Sequence, residues 1–485
     1  MARTPGVHGG LRLDAHKQRS TAQPLRTASP PEHLLLPLDQ HAGAAAVPIV
    51  APGDCVLLGQ PIARPGGAIS AWLHSPVSGT VTAIEPRPSP RHHGAPALSI
   101  VIANDGRDER HAAAATSSFE HLSAEQLREH LELGGIVGLG GAVFPMSVKL
   151  DAAAARSEPQ VLLNGVECEP YISCDDMLMR ERAQDVVLGA SILLHALGAR
   201  TCIIAVEDDM PEAARALSSA VDRRHDERIQ IAVVPRVYPA GGQRQLITTV
   251  FGVEVPFDAL PTEIGILCQN VATAAAVARW VRDGQPLTSR IVTVTGDGVQ
   301  HPANLEVRLG TPVSSLIADC GGYTERMTRL IMGGSMMGLA LPHDELPVTK
   351  ATNCVIAASA LDLQPRAAEM PCIRCGNCSE VCPAILLPQQ LHWYVQARDL
   401  EALETYGLMD CIECGCCDYV CPSQIPLAER FRDMKPVLLR TRIGRATASA
   451  ARSAFEARTE RIARLEAEQR AALARKRQAA RDKQS

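Results

Sequence analysis

Apolar and polar residues alternate in short runs between about 36 and 115, and turn residues separate the runs. Ala51-Pro52-Gly53-Asp54, Gly59-Gln60-Pro61-Ile62 and His74-Ser75-Pro76-Val77-Ser78-Gly79-Thr80-Val81 place Pro and Gly where strands reverse. The period changes from about 120 to 285. Residues 124–132 read as a helix followed by a glycine-rich turn. Residues 161–163 read as a short buried strand, 180–197 as a helix, and 202–206 and 229–234 as further strands. Helices between short apolar strands predict a parallel sheet with crossovers. Strands are expected again at 289–295 and 305–309, with a helix at 313–319. Residues 1–35 are polar and Pro-rich and read as an extended arm. The Ala/Arg/Glu-rich stretch after Arg440 reads as a solvated or frayed helix, with Glu460–Arg464 and Glu466–Arg470 as i,i+4 pairs.

Composition narrows the class. At 485 residues the chain is long enough for roughly three or four domains. It is 46% hydrophobic and 21% charged, as expected of a globular protein, and only 3% aromatic, so its cores rest on Ala, Val, Leu and Ile. Residues 1–40 hold no apolar stretch of signal-peptide length, and no window of about 18 apolar residues occurs anywhere. The expectation is a chain that does not span a membrane but can sit on one. Net charge is −5 and unevenly spread. Residues 440–485 carry thirteen Lys/Arg against five Asp/Glu, a net of +8, which leaves −13 on the remainder. A basic tail on an acidic body points to an anionic partner or lipid surface.

Cysteine spacing brings in the chemistry. Cys372-x2-Cys375-x2-Cys378-x3-Cys382-Pro383 is followed by Cys411-x2-Cys414-x2-Cys417-x3-Cys421-Pro422. This is the ligand spacing of a two-cluster ferredoxin, in which the fourth cysteine of each run ligates the other [4Fe–4S] cluster. On that pattern one cluster uses Cys372, Cys375, Cys378 and Cys421, and the other Cys411, Cys414, Cys417 and Cys382. Structural zinc rarely follows a triple-Cys run. Half of the sixteen cysteines sit in these runs, so a reducing compartment is expected.

Single-electron clusters need an electron source, and two stretches of the α/β part suggest one. Gly138-Leu139-Gly140-Gly141-Ala142-Val143-Phe144-Pro145, with Lys149 beyond it, is either a tight turn or a cradle where backbone approaches a phosphate or flat ring. Asn164-Gly165-Val166-Glu167-Cys168-Glu169-Pro170 follows a strand directly. Carboxylates there lie at the sheet edge where ligands bind.

Together these stretches resemble the flavoprotein subunit of respiratory complex I, with its G-R-G-G-A-G-F-P loop, N-A-D-E-x-E-P segment and N-N-V-E-T element. That resemblance implies FMN and NADH binding at Gly138, Gly140, Gly141, Phe144, Lys149, Asn164, Glu167 and Glu169, with Asn270 of Gln269-Asn270-Val271-Ala272-Thr273 facing the flavin. Leu139, Val143 and Val166 replace an Arg, a Gly and an Asp of the pattern, and Gly241-Gly242-Gln243-Arg244 replaces a Gly-Glu-Glu segment.

The ordered set HGGLRL…HK, HSPVSGTV, GLGGAVFP, NGVECEPYISCDD, QNVATA, MGGSMMG and the double cysteine run resembles the RnfC (RsxC) family of the Rnf ion-translocating electron transport complex over nearly all of residues 1–435. The resemblance implies a peripheral subunit on the cytoplasmic face of the bacterial inner membrane. It would exchange hydride between NADH and FMN and pass single electrons through two [4Fe–4S] clusters to other subunits, including a ferredoxin-like iron–sulfur subunit, and indirectly to ferredoxin. The hairpin segment itself resembles a biotinyl/lipoyl barrel-sandwich domain. It lacks the Lys of cofactor-carrying hairpins, so its role reads as structural or docking.

The expected architecture is multidomain α/β plus β. An arm (1–35) leads into a barrel-sandwich domain (36–115), a Rossmann-like FMN/NADH domain (120–287) and a β-grasp, SLBB-like module (288–345). An α-helical two-[4Fe–4S] ferredoxin domain (363–435) and a basic helical tail (436–485) follow. Cys168 and Cys174 read as buried thiols, Cys416 as a non-ligand beside a cluster, and Cys55, Cys202, Cys268, Cys320 and Cys354 as small core hydrophobes. His92-His93 reads as solvated. Met336-Met337 reads as packing or as a flavin-pocket wall. The competing functions are an electron-wire adaptor that binds no nucleotide, a scaffold with structural clusters, and a complex I or hydrogenase-type flavoprotein. No acid–base residue is required for hydride transfer.

Overall fold

Alternation along residues 33–104 builds two facing antiparallel sheets in the computed structural model, which describes residues 7–92, 94–112, 118–257, 259–363 and 367–482. His93 lies outside these. One sheet runs His33–Pro37, Pro96–Asn104, Gly79–Pro88, Cys55–Val56, and the other Val47–Pro48, Pro61–Arg64, Leu73–His74. Leu34, Leu36, Ile62, Val81, Ile100 and Ile102 fill the space between them. Val56 faces that core, so strand period 2 turns Cys55 outward. Cys55 is exposed, contrary to its expected core role, whereas Cys202, Cys268, Cys320 and Cys354 are buried.

The α/β part has a four-stranded parallel sheet in the order Ile229–Val234, Cys202–Glu207, Gln160–Gly165, Ile266–Asn270. The helix expected over 180–197 is instead two, Cys174–Glu181 and Ala183–Leu197. The chain leaves helical dihedrals at Arg182, whose guanidinium crosses to Glu306 at 2.6 Å.

A six-stranded mixed sheet follows, in the order Arg26–Thr27, Ala303–Arg308, Ser289–Thr295, Cys354–Ser359, Met327–Met332, Leu339–Ala340. The arm thus supplies an edge strand, with Arg26 in register with Leu305. Cys354–Ser359 is buried at every position, as an interior strand requires.

The rest of the arm is a strap across three modules. Gly10 donates to the Val381 carbonyl at 2.9 Å, and Leu11 pairs with Tyr238 in both directions at 2.7 and 2.9 Å. A Cβ on Gly10, at φ +80°, would stand 2.6 Å from the Tyr238 oxygen, so the close approach requires glycine.

The cysteine-rich region packs short helices around Leu391, Leu403, Leu408, Phe431 and Leu438. Its last helix, Leu427–Asp482, extends 56 residues and is fully exposed from 444 onward. Glu466–Arg470 pairs at 3.2 Å. No helix among the described residues is long and apolar enough to cross a membrane.

Candidate functional site

The carboxyl edge of the parallel sheet gathers Asn164, Asn270 and the glycine-rich loop. Asn270 is in register with Asn164. Its Oδ1 accepts from the Ala272 amide at 2.8 Å, capping the helix Val271–Asp283, while Nδ2 donates to Asp175 Oδ2 at 2.6 Å. Asn164 Nδ2 donates to the Gly241 carbonyl at 2.9 Å, and its Oδ1 accepts from the Val166 amide at 3.0 Å.

The Gly138 amide closes the loop on the Phe144 carbonyl at 2.9 Å, and the Leu139 amide is held by Thr273 Oγ1 at 2.9 Å. A Cβ on Gly140 would stand 3.4 Å from Cβ of Asn270, so the turn rests on that residue. Beside Gly141 a Cβ would meet nothing within 4 Å. The amides of Gly140, Gly141, Ala142 and Phe144 have no acceptor among the described residues. Lys149, on the helix Met146–Ala154, donates to the Cys268 carbonyl at 3.4 Å, and burial lowers its ammonium pKa.

Gln269 was not expected as a site residue, although it lies in the Gln-Asn-Val-Ala-Thr element. It is 2% exposed with both amide atoms unpartnered, and its Oε1 lies 3.9 Å from where a Gly138 Cβ would be. Free loop amides, a half-buried Lys and an unsatisfied buried amide form a donor set that fits a flat ligand bearing phosphate, as FMN does.

Glu167 and Glu169 are tied to their own chain. Glu167 Oε1 accepts from the Asp175 amide at 2.9 Å and Oε2 from the Asp176 amide at 3.3 Å, at the start of the helix Cys174–Glu181. Lys17 of the arm, itself buried, donates to the Glu167 carbonyl at 2.7 Å and to Glu207 Oε2 at 3.4 Å. Burial pushes the Glu167 carboxyl up to about 8 and Glu207 to about 7, with Lys17 pulling each back down. Burial works to lower the Lys17 ammonium, but the carboxyls of Glu167, Glu207, Asp209 and Asp176 together outweigh it and raise its pKa. Lys17 and Glu207 lie 190 residues apart, and no local pattern links them.

Glu169 accepts from the Met336 amide at 3.1 Å and the Met337 amide at 3.0 Å. Burial raises its carboxyl to about 7 against those two bonds. The MGGSMMG loop therefore lies against the sheet edge through its backbone.

The eight spaced cysteines fall into two cavities. Cys372, Cys375, Cys378 and Cys421 line one, and Cys382, Cys411, Cys414 and Cys417 the other. All are free of disulfides. The four motif-spaced thiols at each cavity match the donor count of a four-iron cluster.

The second cavity adjoins the sheet edge. Tyr238, 2% exposed, donates its hydroxyl to the Cys414 carbonyl at 2.7 Å, and Cys416 packs with Tyr238, Cys414, Cys168 and Met336. Cys416 is buried and lines the second cavity as a fifth cysteine, outside the x2-x2-x3 ligand spacing. Of the residues that make this junction, Met336 lies in the MGGSMMG element and the arm carries HGGLRL, whereas Tyr238 left no signal of its own.

Four family models match the chain in order: the RnfC barrel sandwich hybrid domain at residues 6–107, the Nuo51 FMN-binding domain at 132–279, the SLBB domain at 291–340 and the 4Fe-4S dicluster domain at 370–425. The RnfC-type subunit of the ion-translocating oxidoreductase complex of Rhodobacter capsulatus is 43% identical over 429 residues, covering 88% of this chain and 82% of that protein. This chain belongs to the RnfC family of ion-translocating oxidoreductase complexes.

The RnfC relative from Pseudomonas aeruginosa is 47% identical over 464 residues, covering 96% of this chain, which spans 59% of that relative's length. An NAD+-reducing [NiFe]-hydrogenase in its air-oxidized state matches at 20% identity with a TM-score of 0.47, over 65% of this chain and 62% of that one. As an RnfC family member the chain combines a barrel-sandwich domain, an FMN-binding domain, an SLBB domain and a [4Fe–4S] dicluster domain.

Proposed function

We propose that this chain is the electron-entry subunit of a membrane-bound ion-translocating oxidoreductase, taking electrons from NADH. FMN, when bound, accepts a hydride and releases electrons singly, which matches a two-electron donor to one-electron clusters. Gly138, Gly140, Gly141 and Phe144 would hold the flavin, with Lys149 and Gln269 beside them and Asn164 and Asn270 beneath. Electrons would pass first to the cluster of Cys382, Cys411, Cys414 and Cys417, then to the cluster of Cys372, Cys375, Cys378 and Cys421.

The observation that carries this reading is the junction of Tyr238, Met336 and Cys168 with Cys414 and Cys416, which joins the sheet edge to one cysteine cavity. Attachment to the membrane would be peripheral, through other subunits, with the basic tail adding a salt-sensitive increment. A ferredoxin-like iron–sulfur subunit is the expected acceptor.

A second reading is favoured by one observation. Glu167 and Glu169 are engaged internally, so neither is free to bind ribose as the chain stands. On that reading a redox protein, and not NADH, delivers electrons to FMN. Anaerobically purified protein titrated with NADH separates the two. Flavin bleaching with NADH-reducible EPR signals supports the first. No bleaching with NADH, but full bleaching with dithionite, overturns it.

A further inference from the structure

The mixed sheet reaches into the flavin edge through one side chain. Arg290, on the strand Ser289–Thr295, is 5% exposed and donates to the Leu139 carbonyl at 3.2 Å and to the Lys350 carbonyl. Lys350, from the same module, is 1% exposed and donates to the Gly135 carbonyl at 2.7 Å and the Trp72 carbonyl at 2.9 Å. No carboxylate pairs with either cation among the described residues. Asp175, bonded to Asn270, is the carboxyl that shares Arg290's field.

Geometry gives this contact a consequence. A trans peptide points its C=O and the following N–H in opposite directions. Arg290 draws the Leu139 carbonyl inward, so the Gly140 amide points outward, at the head of the run of unpartnered loop amides. Thr273 fixes the other side of Leu139 by its amide. Arg290, a buried guanidinium behind a row of N–H donors, makes the front of the loop electropositive, whereas burial lowers the Lys350 ammonium to about 7 and limits what it adds.

We propose that Arg290 is a positioning residue of the flavin site: through the Leu139 carbonyl it holds the loop in its binding conformation, and its charge favours the reduced form of bound FMN. The β-grasp module thereby sets FMN affinity and reduction potential. This rests on the reading that residues 138–144 cradle FMN.

The test uses the full chain, purified anaerobically with its clusters, stripped of FMN and titrated with FMN, with the flavin midpoint potential measured by spectroelectrochemistry. Arg290→Met removes the hydrogen bonds to the Leu139 and Lys350 carbonyls and the charge. FMN should bind about tenfold more weakly or worse, and the potential should move negative. Arg290→Lys keeps the charge and loses the planar fork, so binding should weaken while the potential stays near wild type.

Wild-type affinity and potential in Arg290→Met overturn the proposal. Should Arg290→Met fail to fold, judged by iron content and helicity, Arg290→Lys decides: wild-type FMN affinity in that variant, or a lowered potential, overturns it. Gly141→Val separates the two readings. If Gly141→Val binds FMN normally, the cradle and this proposal both fall. If it loses FMN while Arg290→Met is unchanged, the cradle stands and only this proposal falls.

Discussion

Residues 372–385 and 411–424 repeat one backbone in opposite surroundings. Arg374 and Glu413 share φ near +58°, Gly376 and Gly415 carry positive φ ahead of a four-residue helix, and Ile385 and Gln424 share φ near +54°. In the first copy Cys375 is exposed, Ile373 is 66% exposed, and a Cβ on Gly376 would meet nothing. In the second Cys414 is 7% exposed, Ile412 packs with Tyr238, and Gly415 approaches the Met336 carbonyl. Ligand spacing is a local property and was copied. Environment is a tertiary property and was not. The same motif thus makes one buried cysteine cluster and one exposed one, and the second copy, later in the chain, is the buried one.

The largest test of that asymmetry is ligand deletion. Cys414→Ser should reduce NADH-driven reduction of the remaining cluster to background, because the inner site feeds the outer. Cys375→Ser should leave the inner cluster NADH-reducible. Equal behaviour of the two variants in anaerobic EPR would erase the proposed order.

The next test loosens the strap without touching a ligand. Gly10→Val puts a branched side chain at φ +80° against the Tyr238 oxygen and should cost about 1–3 kcal/mol. Melting should fall, and electron arrival at the inner cluster should slow while FMN content holds. Unchanged reduction kinetics would mean that the arm does not set the junction.

A pH series sharpens the inner side further. Folding raises the Glu169 carboxyl from 4.5 to about 7, so the stability it contributes is full below about 4.5 and is lost as pH rises through about 7. Relative to Glu169→Gln, the wild type should lose up to about 3 kcal/mol across that window. A difference in melting temperature that does not vary with pH would contradict the burial argument.

The smallest effect belongs to the far end. Removing residues 446–485 touches neither cavity and should leave melting within about 0.5 kcal/mol. Iron and flavin content should be unchanged, and membrane association should release at lower salt. Loss of either cofactor would show that the exposed helix supports the sites.

Much of this was legible in the chain. The cysteine spacing already contained both four-thiol sets, because a cluster takes its ligands from a tight turn plus one crossing residue, and that geometry is written locally. The glycine-rich turn and the strand-end Asn164 were readable because backbone approach and sheet edges leave composition signals. The strands and helices read from periodicity formed, but the strands Ile266–Asn270, Met327–Met332 and Cys354–Ser359 were missed, the buried ones because short buried runs carry no alternation, as were the helices Pro211–Arg224, Gln243–Phe251 and Val271–Asp283.

Tertiary structure decided the rest. It placed Lys17 between Glu167 and Glu207, Arg290 behind Leu139, and Tyr238 on Cys414, pairs separated by 150 to 190 residues. It also turned Glu167 and Glu169 toward the chain's own donors. The sequence determined which ligands and turns exist, because local sterics and spacing dictate them. Which buried charge meets which carbonyl, and which four-cysteine cavity adjoins the sheet edge, depended on how distant modules pack, since desolvated polar groups must find partners wherever the fold brings them.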